Sequence, residues 1–127
     1  MRSEWLDLVD FSAAGLVSVI AQQYDSGEVL MLAWMNVEAV RETLATGRVC
    51  YFSRSRKTLW RKGEQSGQVQ HLIELRVDCD GDALLALVDQ TGVACHTGRR
   101  SCFFTSVTKD GSVQVRQALM DPEQLYG

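Results

Sequence analysis

Residues 15–35 read GLVSVIAQQYDSGEVLMLAWM, two apolar runs parted by Tyr24-Asp25-Ser26-Gly27. A polar, glycine-ended tetrapeptide between such runs is a turn signal, and the pattern predicts a β-hairpin. Working outward, Asn36 has the character of a helix N-cap, with Glu38 in the first turn and Val37, Val40 and Leu44 at helical spacing. Gly47 is suited to stop that helix, which gives one clear helix near 36–46. Beyond it RVCYFS (48–53) reads as a strand. Strand signals resume at VQHLIELRV (69–77), where His71, Ile73 and Leu75 alternate against Leu72, Glu74 and Arg76. ALLALVDQ (83–90) follows, and Lys109-Asp110-Gly111 marks a second hairpin turn inside FFTSVTKDGSVQVRQ. Mostly sequential strands with a single helix predict an α+β fold on largely antiparallel sheet, in one domain spanning residues 1–127.

A hydrophobic fraction of 46% and a charged fraction of 23% are those of an ordinary globular chain with a core. A net charge of −3 argues against a general nucleic-acid binder while leaving room for a local basic patch. No apolar run approaches the ~20 residues that cross a bilayer, so no membrane partner is expected. The start, MRSEWLDLVD, lacks the apolar core of an export signal, which predicts a cytoplasmic protein. Its four cysteines are then expected as thiols or metal ligands rather than disulfides.

Three groups of residues carry chemistry. In VDCDGD (77–82), an extended backbone would put Asp78, Asp80 and Asp82 on one face and Cys79 on the other, with Gly81 permitting a bend before Asp82. Three convergent carboxylates suit a hard cation such as Mg²⁺ or Ca²⁺; the alternative is a solvated acidic turn. An EF-hand is excluded, because its required glycine is Ala83, its closing glutamate is Asp89, and the flanks read as strands. The second group is Cys79, Cys95 and Cys102, the last two bracketing CHTGRRSC. Three thiolates suit zinc with a fourth position open, as a catalytic site requires; inert buried thiols are the alternative. Cys50, within an apolar strand, reads as a core residue. His96 adjoins Cys95 as a candidate general acid or base, a fourth ligand, or a plain loop residue; His71 reads as packing, orienting or catalytic.

The third group is basic. SRSRKTLWRKGEQSGQ (53–68) surrounds Trp60 with Arg54, Arg56 and Lys62, among Gly63, Ser66 and Gly67. Thr97, Gly98, Arg99, Arg100 and Ser101 add charge and hydroxyls between Cys95 and Cys102. Glycine-loop amides, hydroxyls and basic side chains together bind phosphate. A solvated basic surface would not need the interleaved glycines, serines and tryptophan, so these residues are read as a small-molecule site.

The segments VLMLAWMN, SRSRKTLWRKGEQSGQVQ and VDCDGDALLALVDQTGVACHTGRRSCFF, in that order, resemble the phosphoribosyl-AMP cyclohydrolases of histidine biosynthesis, over roughly residues 10–106. No part of the chain resembles the pyrophosphohydrolase to which that enzyme is sometimes fused, so the single-function form is expected. The resemblance implies hydrolysis of the N1–C6 bond of the purine ring of 1-(5-phosphoribosyl)-AMP. It implies a homodimer with zinc and magnesium. Cys79, Cys95 and Cys102 match the family's zinc cysteines, shared across the dimer, and Asp78, Asp80 and Asp82 match its magnesium carboxylates. Trp34, where tyrosine is the commoner expectation, and Cys50 are differences expected to lie away from the chemistry.

Two other readings compete. A zinc deaminase needs HxE followed by PCxxC; His71-Leu72-Ile73-Glu74 is HxxE, and no proline precedes a cysteine. A non-enzymatic, zinc-stapled dimer that binds nucleotides would show zinc and dimerisation without turnover.

Overall fold

The computed structural model describes residues 5–115 and 117–120. In chain order the elements are α1 (Trp5–Leu8), β1 (Val17–Gln23), β2 (Val29–Met35), α2 (Val37–Thr46) and β3 (Cys50–Ser53). Then come β4 (Thr58–Arg61), β5 (Gln70–Val77), β6 (Ala83–Gln90), β7 (Thr105–Thr108) and β8 (Gly111–Gln114). The architecture is α+β with mostly antiparallel pairing, as expected. A four-stranded sheet has the order β2-β1-β6-β5, and β3-β4 and β7-β8 form separate two-stranded ribbons. Among the described residues the one parallel contact is β1 on β6, strands sixty residues apart that come together once the intervening chain has crossed over.

The predicted hairpin is β1-β2, turning at Tyr24–Gly27, and the second predicted hairpin is β7-β8. Alternation decides which side of the sheet is core. Val17, Val19 and Ala21 of β1 point to the same interior as Leu84, Ala86 and Val88 of β6, and Met35, Ala39, Val40 and Tyr51 complete it. Helix α2 starts and stops where the caps predict. Asn36 accepts a hydrogen bond from the Ala39 N–H at 2.8 Å, and Gly47 adopts φ 75° with its N–H on the Thr43 carbonyl. Thr43, fully buried, accepts from the Cys50 N–H at 2.9 Å and so fastens α2 to β3. Cys50 is a core residue as expected. Its thiol is pushed up to about 12, first by burial and then by the neighbouring Glu42 carboxylate.

Strand β5 departs from the simple alternation. Leu72 pairs with Val88 and Glu74 with Leu87, so Ile73 is an extra, bulged residue left exposed to solvent. The bulge resets the face: Leu72 and Leu75, expected on opposite sides, both pack against the core. The polar, basic stretch 53–68 contains β4, which pairs with β3.

Candidate active site

The β3-β4 ribbon stands beside β2 and encloses a cavity of about 1110 Å³. Leu32 and Trp34 of β2 form one wall, and the turn after β3 brings Arg54 and Arg56 to its rim. Trp60, Lys62, Gly63 and Ser66 line the facing wall, and His96 and Cys102 lie at the same opening. Residues predicted from two distant stretches are thus brought together. The volume is slightly above the ~300–1,000 Å³ usual for small-molecule sites.

Trp34 belongs to this site, not away from it as expected. The Arg54 guanidinium lies 3.5 Å above its ring, a cation–π contact that fixes a cation on an otherwise exposed loop. The signal was in the alternation of β2: Trp34 and Leu32 share the face opposite Met35, and a tryptophan turned away from the core needs a partner. Arg61 is spent elsewhere, in a bidentate pair with Glu42 of α2 at 2.8 and 2.9 Å. Among the described residues Arg54 and Arg56 have no carboxylate partner. His71 is exposed on β5, beside Arg48, and does not line the cavity.

The loop 95–102 is built differently. It follows Gln90, whose buried amide donates to the Thr91 and Val93 carbonyls and accepts from Gln70, itself bonded to the Tyr51 hydroxyl at 2.6 Å. Cys95 N–H to Arg99 O and Gly98 N–H to Cys95 O close the turn, and Cys102 N–H to Leu30 O docks it on β2. Its side chains are then used internally. Arg100 donates to the carbonyls of Gln90 and Gly92 at 2.8 and 2.6 Å and faces Glu28 at 3.8 Å. Ser101 donates to Val29 O at 2.7 Å, and Thr97 donates to the Cys95 sulfur at 3.0 Å. Arg99 covers the Phe104 ring at 4.0 Å and donates to Gln114. Gly98, at φ 85°, accepts from the Leu119 N–H, and a Cβ there would collide with the Met120 carbonyl. None of Thr97, Gly98, Arg99, Arg100 and Ser101, read as ligand contacts, lines this cavity; within the chain each takes part in holding the loop. Gly67 also lies outside the lining, in the turn that its N–H makes with Gly63 O.

Cys102 lies near enough to Cys95 for the two thiols to interact. Burial pushes Cys102 up to about 12, the Cys95 thiol adds to the shift, and the Lys62 ammonium opposes it. Burial in turn lowers Lys62, against the pull of the two thiols. The acidic stretch is not extended. Gly81 N–H bonds to Asp78 O at 2.9 Å, closing a turn, and Gly81, at φ 76°, is packed so tightly that a Cβ would meet the Leu8 carbonyl. The turn defeats the alternation on which opposite faces depended. Cys79 lies with the aspartates, its sulfur 3.6 Å from Asp80 Oδ1 and 4.0 Å from Asp78 Oδ2. The possible ligand atoms of Asp78, Cys79 and Asp80 all fall within 4.8 Å of one another, the only such group of three or more among the described residues. Asp82 joins them through Asp78, whose hydrogen bond raises the Asp82 carboxyl above its ordinary range, with burial and like charge adding to it. Within one chain Cys79 therefore does not converge with Cys95 and Cys102.

A concave site with unspent cations, an exposed imidazole and a thiol pair defines a small-molecule enzyme that handles an anionic substrate. The family model for phosphoribosyl-AMP cyclohydrolase matches residues 31–104. The chain is 71% identical over 126 residues to the phosphoribosyl-AMP cyclohydrolase of Granulibacter bethesdensis, covering 98% of each. It is 66% identical over 124 residues to that of Alcanivorax borkumensis, covering 98% of this chain and 87% of the relative. To that of Rhodospirillum rubrum it is 68% identical over 120 residues, covering 94% and 84%. The chain belongs to the phosphoribosyl-AMP cyclohydrolase family, hydrolases of a cyclic amidine bond.

Proposed function

We propose that this chain opens the purine ring of 1-(5-phosphoribosyl)-AMP in histidine biosynthesis, with zinc and magnesium bound to a homodimer in the cytoplasm. The observation that carries the reading is the union, in one cavity, of Arg54, Arg56 and Ser66 with His96 and Cys102. A substrate with a 5′-phosphate on each of two riboses needs cations at a distance from the reacting ring. Arg54, held on Trp34, and Arg56 supply them; Trp60, its ring 5.5 Å from Tyr51, offers an apolar face to a base. Water adds at C6, the N1–C6 bond breaks, the water oxygen becomes the carboxamide oxygen, and N1 leaves with a proton. His96 is the imidazole placed to take the proton from water.

The donor set fits the two metals. Adjacent thiols of Cys95 and Cys102 suit zinc, and the carboxylates of Asp78, Asp80 and Asp82 suit magnesium. Zinc, when bound, lowers the pKa of a coordinated water to about 7 in favourable sites. Because Cys79 sits with the aspartates, a third thiol for Cys95 and Cys102 must come from a second copy, which is what supports the homodimer. The described residues contain no helix long and apolar enough to cross a membrane. Four free thiols suit a reducing compartment.

The test is turnover of phosphoribosyl-AMP by the purified, metal-loaded protein beside Cys102→Ser. Ring opening by the parent, with a loss of at least about a hundredfold in the variant, supports the reading. A folded, zinc-loaded parent without turnover would establish the nucleotide-binding alternative instead.

A further inference from the structure

Lys62 is the anomaly of the cavity. Only 6% of its surface is exposed, whereas Arg54 and Arg56 at the rim are open to solvent. Among the described residues its ammonium has no carboxylate within ion-pair distance and no side-chain hydrogen bond. A lysine is almost never buried unpaired, because taking its charge out of water costs more than packing its stem returns. Backbone pairing explains the position of its main chain, through Lys62 N–H to Val49 O, but not the charge at its tip. Cys102 lines the same cavity as Lys62, and Cys95 stands at the other end of the loop that carries it.

We propose that Lys62 is a positioning residue that supplies the counter-charge to the Cys95–Cys102 thiolate pair when a divalent cation is bound, not a ligand for a substrate phosphate. The inference rests on the zinc reading given above. Charge counting is its core: three thiolates on a divalent cation leave one net negative charge in a partly buried site, and one ammonium cancels it. An uncancelled charge there would be costly to bury and would weaken the hold on the ion. Without the ion, the ammonium is itself uncompensated, so the site is balanced only when loaded. A phosphate ligand would be better served at the rim, where Arg54 and Arg56 already stand.

Competition with a chromogenic chelator measures zinc affinity in the wild type, Lys62→Met and Lys62→Gln. Both variants should bind zinc at least about tenfold more weakly, since both remove the charge while differing in packing. With cobalt in place of zinc, the thiolate-to-metal charge-transfer band should move to longer wavelength in both, as the sulfurs lose a nearby cation. The metal-free Lys62→Met protein should melt at a higher temperature than the metal-free wild type, because an unpaired buried charge has been removed. AMP affinity at saturating zinc should change by less than about threefold. Unchanged zinc affinity in either variant, or AMP affinity falling as far as zinc affinity, overturns the proposal. A wild type that binds no zinc would instead overturn the metal reading on which it rests.

Discussion

Two stretches of this chain look alike on paper, 53–66 and 95–102: both mix arginines, serines or threonines, and glycines. In the folded protein they do opposite things. The first is a ribbon and its turns, and it leaves Arg54, Arg56 and Ser66 facing a cavity. The second is a tight loop docked on β2, and it consumes Arg100, Ser101 and Thr97 in holding its own shape around two thiols. The difference has a physical origin. A loop that must hold soft donors in place needs its backbone carbonyls and amides satisfied by something rigid, and the nearest polar side chains serve. The first stretch closes its backbone by β3-β4 pairing and by backbone turn bonds, Lys57 N–H to Ser53 O and Gly67 N–H to Gly63 O, so the Arg54 and Arg56 side chains are not needed to hold it.

The largest test of that contrast removes both rim cations. Arg54→Met with Arg56→Met should lower kcat/KM by about two to four orders of magnitude, taking charge-assisted phosphate bonds at about 1.5–3 kcal/mol each. Stability in urea should move by no more than about 0.5 kcal/mol, since neither side chain holds the core. Steady-state kinetics beside equilibrium unfolding decides it: a large loss of stability would place these arginines in the same structural class as Arg100.

Arg100→Met is the counterpart and should reverse the pattern. Two carbonyls and Glu28 lose their shared cation, so unfolding free energy should fall by about 2–4 kcal/mol. Under conditions where the variant is folded, KM should stay within about threefold of the parent. An intact stability with a raised KM would show that Arg100 reaches substrate, and the contrast between the two stretches would fail.

How much of this was legible in the sequence depends on whether the signal was local. The hairpins and α2 with its Asn36 and Gly47 caps were, because a turn or a cap is decided within a few residues. The bulge at Ile73 was not, since a slip in pairing depends on the partner strand β6. Alternation failed at 78–82 because Gly81 bends the chain, so Cys79 was placed on the wrong side of its own aspartates. The cavity residues were half legible. Composition marked Arg54, Arg56, Trp60 and His96 as candidates, but nothing local separated an arginine that faces a ligand from one that braces a loop. That distinction lies in which carbonyls are left unpaired nearby, a property of the fold. Trp34 was passed over for a different reason: its face was readable, its neighbour Arg54 was not.

The smallest test repeats the contrast with single hydroxyls. Ser101 is buried, donating to Val29 O at 2.7 Å and accepting from the Phe103 N–H at 2.9 Å. Removing it in Ser101→Ala strands two backbone groups and should cost about 1–3 kcal/mol of stability with little effect on KM. Ser66 is half-buried at the cavity wall, and its hydroxyl accepts from the Gln68 N–H at 3.2 Å. Ser66→Ala should leave unfolding within about 0.5 kcal/mol of the parent and raise KM by a few-fold, about the value of one neutral hydrogen bond to substrate. Equal effects of the two changes on stability would mean that both stretches brace the fold. The cavity would then owe its affinity to its cations alone.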